Sequence, residues 1–296
     1  MKEIVIIGAG NFGRETSWLI EDINRVRPTY NLLGFLDDTE AKQGKLFNGY
    51  PCLGKIPHLL ELCRQRRIYA VIAMESCSGR RRIASDLADF QDWETLRHPS
   101  ANIAESAQIG QGCIICAHTS ISIDTKLGKH CLINIGTVIG HDSVLGDCVS
   151  VMPGVCICGN AVVKDCAYLG TNCSVTPKIS IGAHAKVGAG SAVLKDVADK
   201  TTVLGVPAKS IAFQAEDNPG CSREMREFLQ FAAGIFSVDP SELSGDTAYG
   251  TYEKWDSLMH MNLVLSIEEK YGIEIPLAEI PEIKTLKDFY RLTLAE

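Results

Sequence analysis

Three kinds of residue in this chain could do chemistry. Gly8, Gly10 and Gly13 form G-x-G-x-x-G between a strand-like run, Glu3–Ile7, and a helix-like run, Arg14–Asn24. That order turns backbone N–H groups at a helix start toward a phosphate. Asp37 and Asp38 follow a second strand-like run, Leu32–Leu36, where a carboxylate commonly meets a ribose hydroxyl. The spacing suits NAD about as well as any other phosphate ligand, and the same glycines also serve a bare strand-to-helix turn. Five histidines, His98, His118, His130, His141 and His184, lie between residues 98 and 184. An imidazole titrates near neutral pH and is the natural side chain to take a proton from an amine or hydroxyl. The third candidate is Ser257, in Trp255-Asp256-Ser257-Leu258 at the head of a helical pattern, where serine is also an ordinary cap.

The cysteines argue for less. There are 12 in 296 residues, eight of them between Cys113 and Cys173. Disulfide frameworks belong to small secreted chains, and Cys113 and Cys116 form one C-x-x-C with no second pair at zinc-ligand spacing. Structural thiols in a reducing cytoplasm, and no metal site, are the expectation. The arginines Arg80, Arg81 and Arg82 open another helical run and read as a solvated helix face, or as partners of a diphosphate.

The element that must position most of these groups is a strict hexad. Every sixth residue from Ile103 to Val193 is Ile, Leu or Val, sixteen in register without an insertion. Small residues such as Ala107, Cys113 and Thr119 stand two places earlier, and glycines such as Gly110 and Gly128 often follow. A period of six fits neither a helix nor a flat sheet; it fits short strands wound into a solenoid with one aliphatic side chain per side turned inward. Small residues let the chain bend at each corner.

Charge separates the tail from the body. Residues 221–296 hold 14 acidic and 7 basic side chains, whereas the first 220 hold 22 of each. A neutral body without a basic run argues against nucleic acid. No apolar run is long enough to span a membrane, and Met1–Glu15 lacks a cleavage-site pattern. In the tail, Met225, Phe228, Leu229, Ala232, Ile235 and Phe236 fall at helical spacing, Asp239-Pro240 breaks the pattern, and two more helices follow, one to Tyr271 and one over Leu286–Thr293.

The marks GAGNFGRE, GFLDD, NGYPCLG, HPSANI, NIGTVIGHDSVLGD and GVPAK resemble the hexapeptide-repeat sugar acyltransferases, in the branch of sialic-acid O-acetyltransferases and UDP-amino-sugar N-acetyltransferases. The resemblance covers about residues 1 to 212. It implies a small α/β Rossmann-like domain over 1–98 that binds a nucleotide sugar, with Gly8, Gly10, Asn11, Phe12, Gly13, Asp37 and Asp38 touching a uridine- or thymidine-diphospho sugar. It implies a left-handed parallel β-helix over 99–212 that assembles as a homotrimer, with the donor in a groove between two solenoids. Within that family His141 is the general base, Asp142 orients and stabilises its ring, Asn134 helps position the acceptor, and Gly159 offers its N–H to the thioester oxygen. Neighbours on a straight strand point to opposite faces, so the His141–Asp142 pairing requires the chain to turn there. One departure stands at Ser150, where some N-acetyltransferases of the family carry a second histidine.

Beyond a polar linker at 213–221, residues 222–296 resemble an acyl carrier protein, an all-α bundle. The motif Asp256-Ser257-Leu258 and the run Glu268-Glu-Lys-Tyr-Gly-Ile-Glu-Ile-Pro276 carry that likeness. It implies a 4′-phosphopantetheine on Ser257, and hence a phosphopantetheinyl transferase and an acyl-loading enzyme as partners. The expected function is transfer of an acyl group from a thioester on the fused carrier to the amino group of a nucleotide-linked deoxyamino sugar, in the cytoplasm, for a surface polysaccharide or glycan. Alternatives are an acetyl-CoA-dependent N- or O-acetyltransferase whose carrier serves another step, an NAD-dependent oxidoreductase, and a non-catalytic scaffold.

Overall fold

A computed structural model describes residues 1–64, 66–211, 223–276 and 280–293. The linker expected at 213–221 lies outside the described residues. The chain divides into two compact units, Met1–Ala212 and Phe213–Glu296.

The first unit begins with β1 (Lys2–Ile7), α1 (Asn11–Val26), β2 (Tyr30–Leu36), β3 (Leu46–Phe47), β4 (Tyr50–Gly54), α2 (His58–Cys63), β5 (Tyr69–Ile72) and α3 (Cys77–Asp86). The strand order is β3-β4-β2-β1-β5, parallel except for the β3–β4 hairpin. Ile4, Val5, Ile6 and Ile7 are all fully buried because helices cover both faces of the sheet. The Asn48-Gly49 turn of the hairpin takes φ of 50° and 83°, the left-handed pair that a tight two-residue hairpin needs. Helix α1 starts three residues earlier than the sequence suggests, so Gly13 lies inside it. A Cβ there would stand 1.9 Å from the Gly8 carbonyl oxygen. The glycine is what lets the helix cross so close to the loop.

The solenoid is a triangular parallel β-helix of two-residue strands, forming three ladders. One contains Ile114–Ile115, Leu132–Ile133 and Ser150–Val151; the second Ser120–Ile121, Val138–Ile139 and Cys156–Ile157; the third Lys126–Leu127, Val144–Leu145 and Val162–Val163. The hexad aliphatics stack into one apolar column, buried from Ile115 to Val193. Each buried side chain contributes about 1.5–3 kcal/mol. Ile103 and Ile109 are only partly buried, because they belong to the terminal coil.

The ladders differ on their outer sides. Ile114, Leu132 and Ser150 of the first ladder are buried as well, the two aliphatics packed against Phe12, Leu19 and Phe35 of the N-terminal sheet and helix. Val138, Val144 and Val162 on the other two ladders are 40–45 % exposed.

The second unit packs α4 (Arg223–Phe236), α5 (Ser257–Tyr271) and α6 (Leu286–Leu292) around Phe228, Trp255, Leu263 and Phe289. Asp256 caps α5 by accepting from the Met259 N–H, and Gly272 ends it at φ 68°. Thr285 and Asp288 form a capping box on α6.

Candidate functional site

His141 stands at the corner between the second and third ladders, after Val138–Ile139 and before Val144–Leu145. Asp142 follows at φ 58°. Asn and Asp tolerate this left-handed conformation best among residues with a side chain. The turn brings two sequence neighbours onto the same side, and His141 Nδ1 lies 2.8 Å from Asp142 Oδ2. Both side chains are about half exposed. With Nδ1 held by the carboxylate, Nε2 is left to face outward as an acceptor.

Gly159 sits on the same corner, one coil further on. The N–H of Asn160 donates to the His141 carbonyl, and a Cβ on Gly159 would lie 2.6 Å from His141 Nε2. Only a residue without a side chain leaves the imidazole edge open. Among the described residues no protein acceptor takes the Gly159 N–H. A base nitrogen and a free N–H therefore share one exposed corner, the geometry that acyl transfer uses.

Asn134 is not brought to this corner within the chain. It lies between the first and second ladders, 4 % exposed, with its Oδ1 accepting from the Ile135 N–H. Ser150 is also elsewhere. It is fully buried under the N-terminal sheet and helices, donating to the Glu75 carbonyl and accepting from Arg80 Nη2.

Of the other histidines, His118 and His184 are exposed on the solenoid surface, and His98 and His130 have structural roles. His98 Nε2 meets Asp22 at 3.2 Å while its Nδ1 accepts from Ser100. His130 is buried edge-on to Trp93, and that burial lowers its pKa to about 4. Cys113 and Cys116 do not form a redox pair: Cys113 donates to the Gly128 carbonyl, and burial pushes the Cys116 thiol up to about 12. Among the described residues no group of His, Cys, Asp or Glu side chains is arranged to hold a metal ion.

The glycine loop is built as a backbone cradle. Gly8 takes φ 105°, Gly10 is exposed at the head of α1, and Asn11 follows it into solvent, whereas Phe12 and Gly13 are buried. Phe12 lines an apolar cleft with Trp18, His98 and Ile135. Asp37 is 8 % exposed and its carboxylate is already engaged: Oδ2 accepts from the Ala9 N–H and from Lys42, both at 2.8 Å, and Oδ1 from the Thr39 N–H. Burial would raise its pKa, but hydrogen bonds from Lys42, Thr39 and Ala9 outweigh it and hold the group at about 2. Asp38 accepts from the Ile56 N–H.

The expected solvated arginine face is corrected for Arg80. It is 1 % exposed. Its guanidinium donates to the carbonyls of Met74, Glu75, His130, Cys148 and Val149 and to Ser150 Oγ. It binds the N-terminal domain to the solenoid and meets neither water nor a diphosphate. Nothing in its local sequence separates it from Arg81 and Arg82; only its phase on α3 does.

Ser257 opens α5, exposed, its Oγ 2.9 Å from the Tyr249 hydroxyl. The hydroxyl of this serine is open to modification, which fits attachment of a phosphopantetheine group.

Residues 3–87 match the family described as PglD N-terminal domain, and residues 226–293 match that described as phosphopantetheine attachment site. Among solved structures, the acetyltransferase domain of PglB from Neisseria gonorrhoeae, in complex with acetyl coenzyme A, is 28 % identical with TM-score 0.66 over 71 % of this chain and 99 % of that one. A mutant perosamine N-acetyltransferase from Caulobacter crescentus, in complex with CoA and GDP-perosamine, is 28 % identical with TM-score 0.65, covering 71 % of this chain and 97 % of that one. Among curated proteins, Serine acetyltransferase 2 of Arabidopsis thaliana is 41 % identical over 91 residues, and the chain spans only 28 % of its length, as it is 28 % of this chain. GDP-perosamine N-acetyltransferase of Escherichia coli O157:H7 is 32 % identical over 40 % of this chain and 53 % of its own. The acyl carrier protein of Thermosynechococcus vestitus is 35 % identical over 23 % of this chain and 83 % of its own.

Proposed function

Because the chain belongs to the hexapeptide-repeat sugar acyltransferases and carries a fused acyl carrier protein domain, we propose that it transfers an acyl group to the amino group of a nucleotide-linked deoxyamino sugar. The observation that carries this reading is the His141–Asp142 pair beside Gly159. His141 Nε2 takes the proton of the acceptor amine as nitrogen attacks the acyl carbon. Asp142 holds the ring and stabilises the imidazolium as it forms. The Gly159 N–H donates to the oxygen that becomes negative. A phosphopantetheine on Ser257 Oγ supplies the acyl thioester when attached. The glycine loop, with Gly10 and Asn11 exposed at the head of α1, receives the diphosphate of the acceptor, and Asp37 and Asp38 act there mainly by fixing the loop.

The domain assignment follows: 1–98 for the nucleotide sugar, 99–212 for transfer, 213–221 as linker and 222–296 as carrier. A homotrimer is supported by the exposed valines on the two uncovered ladders, which flank the His141 corner. Asn134 then acts on a neighbouring subunit's acceptor. No helix among the described residues is long and apolar enough to cross a membrane, and the free thiols suit a reducing cytoplasm.

One observation favours a second reading. The two structural relatives were solved with acetyl coenzyme A and with CoA, so free acyl-CoA is the rival donor, with the carrier domain serving another step. Single-turnover transfer to GDP- or UDP-linked 4-amino-4,6-dideoxy sugars, from acyl-CoA and from acylated Ser257 in parallel, separates the two. No transfer from either donor to any amino sugar would overturn the proposal.

A further inference from the structure

We propose that Cys148 and Cys166 form a redox-responsive thiol pair, in which a hydroperoxide oxidises Cys166 and Cys148 closes a disulfide onto it. The two occupy the same corner of successive coils, between the third and first ladders. The Cys148 N–H donates to the Lys129 carbonyl and the Cys166 N–H to the Asp147 carbonyl, both at 2.8 Å. Two residues later the ladder register pairs Ser150 with Tyr168. Neighbouring strands lie about 4.8 Å apart, inside the roughly 4.4–6.8 Å that a disulfide spans between Cα atoms. Both residues have φ 56°, so their Cα–Cβ bonds run nearly parallel, and a small backbone shift brings the Cβ atoms from the strand spacing to the roughly 3.5–4.5 Å that a disulfide requires.

The corner itself does not call for cysteine. Other left-handed corners of this solenoid that are not glycine carry Asp, Asn or His, and also lysine, as at Lys178, mostly the types that tolerate this conformation. Cysteine has no such advantage. What distinguishes this corner is its neighbour: Arg81 Nη1 lies 3.8 Å from Cys166 Sγ. The hydrogen bond from the Cys148 thiol, against the opposing effect of burial, and then the Arg81 guanidinium hold Cys166 below the ordinary thiol range. The thiolate is the nucleophilic form. Cys166 is 4 % exposed; the adjoining cleft of about 280 Å³ is lined by its two neighbours Cys148 and Arg81, with Trp93, Lys129 and Asp147, and brings a small oxidant to the edge of the pair. Cys113 and Cys131 repeat the 18-residue spacing inside the apolar column and supply an internal control.

The chemistry balances as follows. The Cys166 thiolate attacks one peroxide oxygen, the O–O bond breaks, sulfur is oxidised to the sulfenic acid, and hydroxide leaves. The Cys148 thiol then gives up its proton and attacks that sulfur. The S–O bond breaks, and the departing hydroxide takes the proton as water.

The test uses the full chain, reduced, desalted and exposed to hydrogen peroxide at pH 7, with alkylation and peptide mass mapping. The expected first product is a Cys148–Cys166 cross-linked peptide, formed before any Cys113–Cys131 link. Cys148→Ser should leave a Cys166 sulfenic acid that dimedone traps. Arg81→Gln, at a half-exposed guanidinium, should slow pair formation several-fold while the rate at exposed Cys156 stays unchanged. If Cys148→Ser fails to fold, the unmodified chain and Arg81→Gln decide the matter alone. Oxidation of Cys166 no faster than that of Cys156, a first disulfide elsewhere, or indifference to Arg81→Gln would overturn the assignment.

Discussion

His141 and Asp142 are consecutive in the chain, yet the imidazole Nδ1 and the carboxylate Oδ2 lie 2.8 Å apart. An extended strand would send them to opposite faces. The left-handed conformation of Asp142, φ 58°, folds the pair together, so a backbone property of one residue fixes the ring orientation of the other.

The pair can be dissected without disturbing the corner. Asn tolerates the left-handed region as Asp does, so Asp142→Asn should keep the fold and remove the charge behind the ring. His141→Ala should lower kcat by about 10²- to 10⁴-fold, the range for a general base, and Asp142→Asn by a smaller factor. Because both side chains are half exposed, melting temperatures should stay near that of the unmodified chain. Steady-state kinetics with a saturating acyl donor check this, and full activity in His141→Ala would remove the base from the mechanism.

Gly159→Ala tests the space in front of the ring. The new methyl would stand 2.6 Å from Nε2, so the imidazole must swing away from its working position. The corner is exposed, and Gly159 does not take a positive φ, so the fold should survive. The expected result is a loss of at least about tenfold in kcat, a misplacement effect, with an unchanged melting curve. A variant as active as the parent would mean that the acceptor approaches from another side.

Arg80 carries a structural prediction. Its guanidinium satisfies carbonyls from two parts of the first unit at once, Met74 and Glu75 on one side and His130, Cys148 and Val149 on the other. Arg80→Met leaves the Met74, His130 and Cys148 carbonyls without their donor, whereas Glu75 keeps the Ser150 hydroxyl and Val149 the Leu132 N–H; the cost is about 1–3 kcal/mol for each group left unsatisfied, partly relieved by relaxation. Arg80→Lys should recover only part of the loss because one ammonium cannot reproduce the planar fork. Urea titration followed by circular dichroism gives the comparison. Equal stability in Arg80→Met would show that water replaces the fork.

The solenoid was legible because its signal is periodic: one aliphatic residue every six, from Ile115 to Val193, is buried in a single column. The His141 corner was legible through its local motif, and the required turn at Asp142 could be stated in advance. Arg80 was not legible, since burial of one arginine in a run of three depends on how α3 meets the solenoid, a contact between residues 50 to 70 positions apart. Asp37 was legible as a loop acid but not as an occupied one. Its partners Ala9 and Lys42 come from the loop after β1 and from the short 3-10 helix Glu40–Lys42. Asn134 shows the converse: its motif is local, yet the corner that it occupies is set by the coil.

Asp37 makes acid stability readable. Its folded-state pKa of about 2 lies below the 3.8 of an unperturbed Asp. A depressed carboxylate contributes stability that is complete above the unfolded value and is lost as pH falls through the folded one. The advantage of the parent chain over Asp37→Asn should therefore hold at pH 5 and shrink between about pH 4 and pH 2. Thermal melts across that window measure it, and a pH-independent difference would assign the effect to shape rather than charge.

The donor question turns on Ser257. Its hydroxyl is exposed at the head of α5, beside Tyr249, and Asp256, not Ser257, makes the capping hydrogen bond. Ser257→Ala should therefore leave the helix and its melting curve intact while abolishing the mass increment of a phosphopantetheinyl group after incubation with CoA and a phosphopantetheinyl transferase. If the carrier is the donor, the unmodified chain acylated on Ser257 transfers in a single turnover, and Ser257→Ala transfers nothing unless it is supplied with a separately acylated carrier domain. If free acyl-CoA is the donor, Ser257→Ala keeps its kcat/KM, and acylation of Ser257 in the unmodified chain leaves the rate unchanged. The two outcomes are exclusive at saturating acceptor. His141→Ala in both arms separates loss of the donor from loss of the base, because it blocks transfer while leaving the load on Ser257 intact.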